Sequence, residues 1–98
     1  MRIGRLERRL AARMPELSRF FGIVIAMYYR DHWPAHFHAI YGEFEVTVNI
    51  ETGEVTGYFP RKALGHVQQW RRSHIDDLRA AWVLAISRQP LSTIGFLE

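Results

Sequence analysis

The chain has no cysteine among its 98 residues. That excludes disulfides, thiolate zinc sites and cysteine nucleophiles, and it leaves packing alone to hold the fold together. No apolar run is long enough to span a membrane, and no secretory apolar segment follows the N-terminal arginines. Phosphate-loop, dinucleotide-binding, calcium-loop and HExxH patterns are all missing, and neither Ser18 nor Ser73 sits in a nucleophile-elbow context. Proline is sparse, at four residues, and no low-complexity linker or internal repeat argues for a second domain. These absences point to one small domain with cytoplasmic residence as the default.

Aromatics and histidines are plentiful by contrast, at 13% Phe, Trp and Tyr with five His. A domain this short buries a limited fraction of its surface, so spare aromatic area suits a homodimer or a heteromeric contact. The formal charge of +3 is unevenly placed. Arg2, Arg5, Arg8, Arg9 and Arg13 crowd residues 1–13, which read as a basic arm or extension ahead of a single domain over residues 14–98. Such an arm suits a polyanion or an acidic protein, and contact with nucleic acid or a protein partner falls to Arg5, Arg8, Arg9 and Arg13 with Arg61 and Lys62. The acids Glu43, Glu45, Glu51 and Glu54 oppose a nucleic-acid backbone elsewhere.

Residues 20–29, FFGIVIAMYY, lack clean alternation, but Ile23, Val24 and Ile25 with flanking aromatics predict a buried strand. Pro34 then turns the chain into a second strand over residues 36–41. Phe44, Val46, Val48 and Ile50 alternate with Glu43, Glu45, Thr47 and Asn49, which assigns a third strand with one face in the core. NIETGEV reads as a hairpin turn with Gly53 at positive φ, and Val55, Tyr58 and Phe59 suit a returning strand. After Pro60 the period changes to three and four. Leu64, Val67 and Trp70, then Ile75, Leu78 and Trp82, predict two helices with Ser73 as N-cap of the second and Asp76 at N3. Trp70 and Trp82 read as core anchors, and LSTIGFLE as a terminal segment lying on the sheet or on another subunit. The fold class expected is α+β, a two-layer domain of three or four antiparallel strands followed by two helices on one face.

The densest chemistry lies in DHWPAHFHAIYG, where His32, His36 and His38 fall within seven positions beside Asp31. His36 and His38 share a strand face while Phe37 takes the other. Two readings stand. A divalent metal such as zinc would take His36, His38 and a third ligand, His32 or Asp31, folded back by the Pro34 turn, with an open position for water. In the other reading no cofactor is bound and the histidines form the polar side of an amphipathic strand. An Asp31–His32 acid–base pair is a further arrangement, without a matched nucleophile or a clear general base.

The stretches SRFFGIVI, DHWPAHFH and IETGEV, the helix start at residues 60–64 and Trp82 together resemble a small bacterial family known only as a domain of unknown function, DUF4160. The resemblance runs from Met14 to about Pro90. It implies a hallmark of His32, Pro34, His36, Phe37 and His38, and a setting in two-gene loci resembling toxin–antitoxin modules. The function expected on these grounds is a non-catalytic interaction protein whose partner is encoded by a neighbouring gene. A metal-dependent hydrolase or nuclease using the histidine cluster, and a DNA-binding regulator, are the alternatives.

Overall fold

A computed structural model describes residues 14–97; the basic arm expected over residues 1–13 lies outside them. Five strands form one antiparallel meander in the order β1-β2-β3-β4-β5: β1 Glu16–Phe20, β2 Ile23–Ala26, β3 His36–Tyr41, β4 Phe44–Asn49 and β5 Val55–Thr56. Two helices follow, α1 Arg61–Ser73 and α2 Ile75–Ile86. The class is α+β, and among the described residues no helix is long and apolar enough to cross a membrane.

The sheet has more strands than the three or four expected, because the run read as one strand is a hairpin. Phe20 pairs with Ile23, and the two residues between them, Phe21 and Gly22, have φ of 51° and 76°. Two consecutive positive φ values make the tight turn that fits the twist of paired strands. All four residues of β2 are buried, Ile23 and Ile25 in the main core and Val24 and Ala26 in a second cluster with Met14 and Ile40. A strand buried on both faces carries no polar/apolar alternation to reveal where it stops.

The main core lies between one sheet face and the helices. Leu17, Phe37, Val46, Val48 and Ile50 meet Val67, Trp70, Leu78, Trp82 and Ala85. Phe37 sets its ring edge on Trp70 at 5.7 Å. The predicted faces of β4 and of both helices are therefore observed, with Phe44 partly buried at the margin.

Two details differ from expectation. Ser73 ends α1 and donates its hydroxyl to the Gln69 carbonyl at 3.1 Å; His74 occupies the cap position of α2 with no side-chain cap bond, although Asp76 and Asp77 fill the first turn. The helices are nearly continuous, so the Ser73 backbone is still helical and its side chain bonds backward. The returning strand is only Val55–Thr56, since Gly57 at φ 108° turns the chain and leaves Tyr58 exposed and Phe59 buried. The C-terminal segment, by contrast, lies where the first of its two expected positions puts it, on the sheet of its own chain: the Ile94 N–H donates to Leu17 O at 2.7 Å, and Gly95 O accepts from Trp70 Nε1 and Ser18 Oγ.

The Asn49–Glu54 turn is fastened from both sides. Asn49 Oδ1 accepts the N–H groups of Glu51 and Thr52, and Gly53 takes φ 79° as the sequence predicts. Gln68 and Arg71 of α1 reach across to Gly53 O and Ile50 O, at 2.8 and 2.9 Å. Arg71 is thus consumed in fixing the fold.

Candidate metal centre

β3 places His36 and His38 two residues apart, so their rings stand on the same face while Phe37 enters the core. Their cross-strand neighbours on β4 are Asn49 and Thr47. The loop between β2 and β3 brings the third group. Its position is held at both ends, by Arg30 N–H to Ala85 O at 3.0 Å and by Ile50 N–H to Ala35 O at 3.0 Å. Between these anchors Asp31 turns back over the histidines.

Asp31 Oδ2 lies 2.8 Å from His36 Nε2 and 3.8 Å from His38 Nε2, and its Oδ1 accepts the His32 backbone N–H at 2.9 Å. Each of Asp31, His36 and His38 offers one ligand atom, and the three atoms lie within 4.8 Å of one another. A tetrahedral zinc with bonds of about 2.0–2.1 Å spaces its ligand atoms about 3.3 Å apart. The 2.8 and 3.8 Å separations bracket that distance.

The far nitrogens of both rings decide how the near ones present themselves. His36 Nδ1 is 2.8 Å from the Pro34 carbonyl, which only accepts, so Nδ1 carries the proton. His38 Nδ1 is 3.1 Å from Glu45 Oε2 and donates to that carboxylate. His36 Nε2 is hydrogen-bonded to Asp31 Oδ2 at 2.8 Å, a contact that an ion between them would replace, and His38 Nε2 faces the same oxygen at 3.8 Å. A ligating histidine shows this outer contact, in which a carbonyl or carboxylate on one nitrogen orients the lone pair of the other. His38 Nε2 is moreover buried with no hydrogen-bond partner among the described residues.

The electrostatics agree. Burial holds the His38 imidazole below its ordinary 6.5, against the opposing pull of Glu45, which favours the neutral, ligating form. Burial pushes the Asp31 carboxyl up, but the His32 N–H and the nearby histidines outweigh it and keep the group below its usual 3.8. An ionised Asp31 beside a neutral His38 leaves these two groups in the form that a cation needs.

Of the four candidates in the cluster, the structure gathers Asp31, His36 and His38. His32 turns outward, its side chain 90% exposed, with Nδ1 3.1 Å from Asp31 Oδ1. Asp31, and not His32, is the third group that lies beside the two strand histidines. Arg61 and Lys62 are exposed in the first turn of α1, away from this cluster, and Arg5, Arg8, Arg9 and Arg13 lie outside the described residues.

The cluster forms one wall of an open cleft of about 590 Å³, whose other walls include Tyr28, Arg30, Thr47, Asn49, Glu54 and Thr56. Sequence reasoning passed over Glu45, Thr47 and Asn49 as site residues, yet the period of two that put Val46 and Val48 in the core also put them on the histidine face. Tyr28, whose ring meets His38 edge-on at 4.8 Å, carries no comparable signal.

No curated protein and no solved structure matches the chain. A family model, described as a domain of unknown function, matches residues 22–83, which take in β2 to β5, the Asp31 loop and most of both helices. With more than half its length inside that match, the chain belongs to the DUF4160 family.

Proposed function

We propose that the protein is a divalent-metal-dependent hydrolase whose ion is held by Asp31, His36 and His38. The observation that carries the reading is the unpartnered, buried Nε2 of His38, beside Asp31 and His36 in a cleft open to solvent. An unsatisfied buried polar atom costs roughly 1–3 kcal/mol, and an ion at this position removes the deficit. Three protein ligands leave a coordination position for water, and a bound ion lowers the pKa of that water to about 7. Glu54 borders the same cleft and its carboxylate is engaged by no other side chain among the described residues, which suits it to accept the water proton. Nuclease chemistry is one form of this reaction.

Calorimetric titration of the metal-stripped protein with zinc, and optical titration with cobalt, test the reading. One ion per chain is expected at pH 7.5, with His36→Ala and His38→Ala each losing about 100-fold in affinity while remaining folded. Absence of binding by the wild type, or binding indifferent to both substitutions, overturns it.

A second reading, the interaction protein of a toxin–antitoxin-like two-gene module, draws on a different surface. Trp33, Pro34, Trp82 and Val83 border an apolar groove of about 380 Å³, with Trp33 66% and Val83 57% exposed. Large apolar side chains left in solvent around one groove suit a protein partner. Co-purification with the neighbouring gene's product, abolished by a Trp33→Ala/Val83→Ser variant, is its test.

A further inference from the structure

The metal ligands occupy only part of the cleft. Among the described residues Arg19 pairs with Glu16, Arg71 donates to Ile50 O and Arg79 pairs with Glu51, while Arg61, Lys62, Arg72 and Arg88 have no side-chain partner and line no part of this cleft. Arg30 is different. It lines the cleft, precedes the ligand Asp31 directly, and its guanidinium makes no hydrogen bond or ion pair with any described residue.

Its backbone is also held in a costly way. Arg30 has φ 61°, a left-handed conformation that a non-glycine residue adopts at a cost, and its N–H is tied to Ala85 O at the C-terminal part of α2. The bond to α2 fixes where the side chain leaves the loop. Phe21 and Arg88 share this backbone region, but of the three only Arg30 lines the cleft, next in sequence to the ligand Asp31.

From this placement we infer that the cleft binds a phosphoryl group, one oxygen on the metal and others on the Arg30 guanidinium. The inference rests on the metal reading above and names the substrate class of the same site. A guanidinium offers a planar fork of donors matched to two anionic oxygens. A tetrahedral phosphoryl group supplies those two and still has an oxygen for the ion. A carboxylate that gives one oxygen to the ion keeps only one for the fork.

The experiment uses the full chain loaded with cobalt, whose visible spectrum responds to a change of ligand at the ion, titrated with inorganic phosphate and separately with acetate. Phosphate is expected to alter the spectrum saturably and to bind at least tenfold more tightly than acetate. Arg30→Gln should weaken phosphate by about tenfold or more, the range for losing a charge-assisted contact, while cobalt affinity stays within threefold. Arg30→Gly is the companion variant, because glycine suits the left-handed backbone and removes the guanidinium without burdening the fold. Cobalt binding with no spectral response to phosphate, phosphate affinity in both variants unchanged from wild type, or acetate binding as tight as phosphate overturns the phosphoryl inference alone. Failure of the wild-type chain to bind cobalt overturns the metal reading and this inference with it.

Discussion

Glu45 accepts from His38 Nδ1 at 3.1 Å, and by doing so turns the opposite nitrogen of the ring toward Asp31 Oδ2, 3.8 Å away. The two residues are diagonal neighbours on adjacent strands, since His38 pairs with Thr47 two positions from Glu45. Glu45→Gln should therefore lower zinc affinity by about tenfold without removing a ligand, because an amide oxygen orients and polarises the imidazole less than a carboxylate. Calorimetry on the folded variant checks this; unchanged affinity would separate Glu45 from the site.

Acid sensitivity of the metal-free protein follows from His38 and Asp31. His38 is harder to protonate in the folded chain than in the unfolded one, so the unfolded state takes up the proton first. Stability should be highest above pH 6.5 and decline as pH falls from there toward the folded value. Asp31, easier to ionise when folded, adds a second loss that begins nearer its ordinary 3.8. Thermal melts in EDTA across pH 3–8 should show both phases, and His38→Asn should flatten the first.

Val48 is fully buried between the sheet and the helices. Val48→Asp is expected to cost about 3–5 kcal/mol, the penalty of a charge left unpaired in a core. A denaturant midpoint equal to wild type would refute the packing described for β4.

Gly53 tests the fastening of the turn to α1. A Cβ there would lie 2.7 Å from Arg71 Nη2 and 3.0 Å from Gln68 Oε1, at φ 79°. Gly53→Ala should destabilise by about 1–3 kcal/mol through backbone strain and the displaced side chains. Chemical denaturation gives the value.

How much of this was legible in the sequence depends on what each residue's role rests on. Val46, Val48 and Ile50, Gly53, and the helical series through Trp70 and Trp82 were readable because local period and turn chemistry determine them. The turn at Phe21–Gly22 was hidden, since β2 is apolar on both faces and Phe21 is an unusual residue at positive φ. His36 and His38 were assigned to one face by spacing alone. Asp31 could be named only beside His32 as the third group, because a loop has no period and the anchors at Ala85 and Ile50 are long-range. Glu45 and Arg30 were missed as site residues for a related reason. The role of one comes from strand register and that of the other from a tie to α2.

The alternation along β3 has a consequence for how this chain can change over time. His36, Phe37, His38 and Ala39 are read out to cleft, core, cleft and core in turn, on the middle strand of the sheet. A single-residue insertion or deletion upstream in that strand would send both imidazoles into the interior and Phe37 into the open, exchanging every side of the pattern at once. Substitutions can erode the cluster one residue at a time while the domain persists. Length changes cannot, because the frame that presents the histidines is also the frame that fills the core.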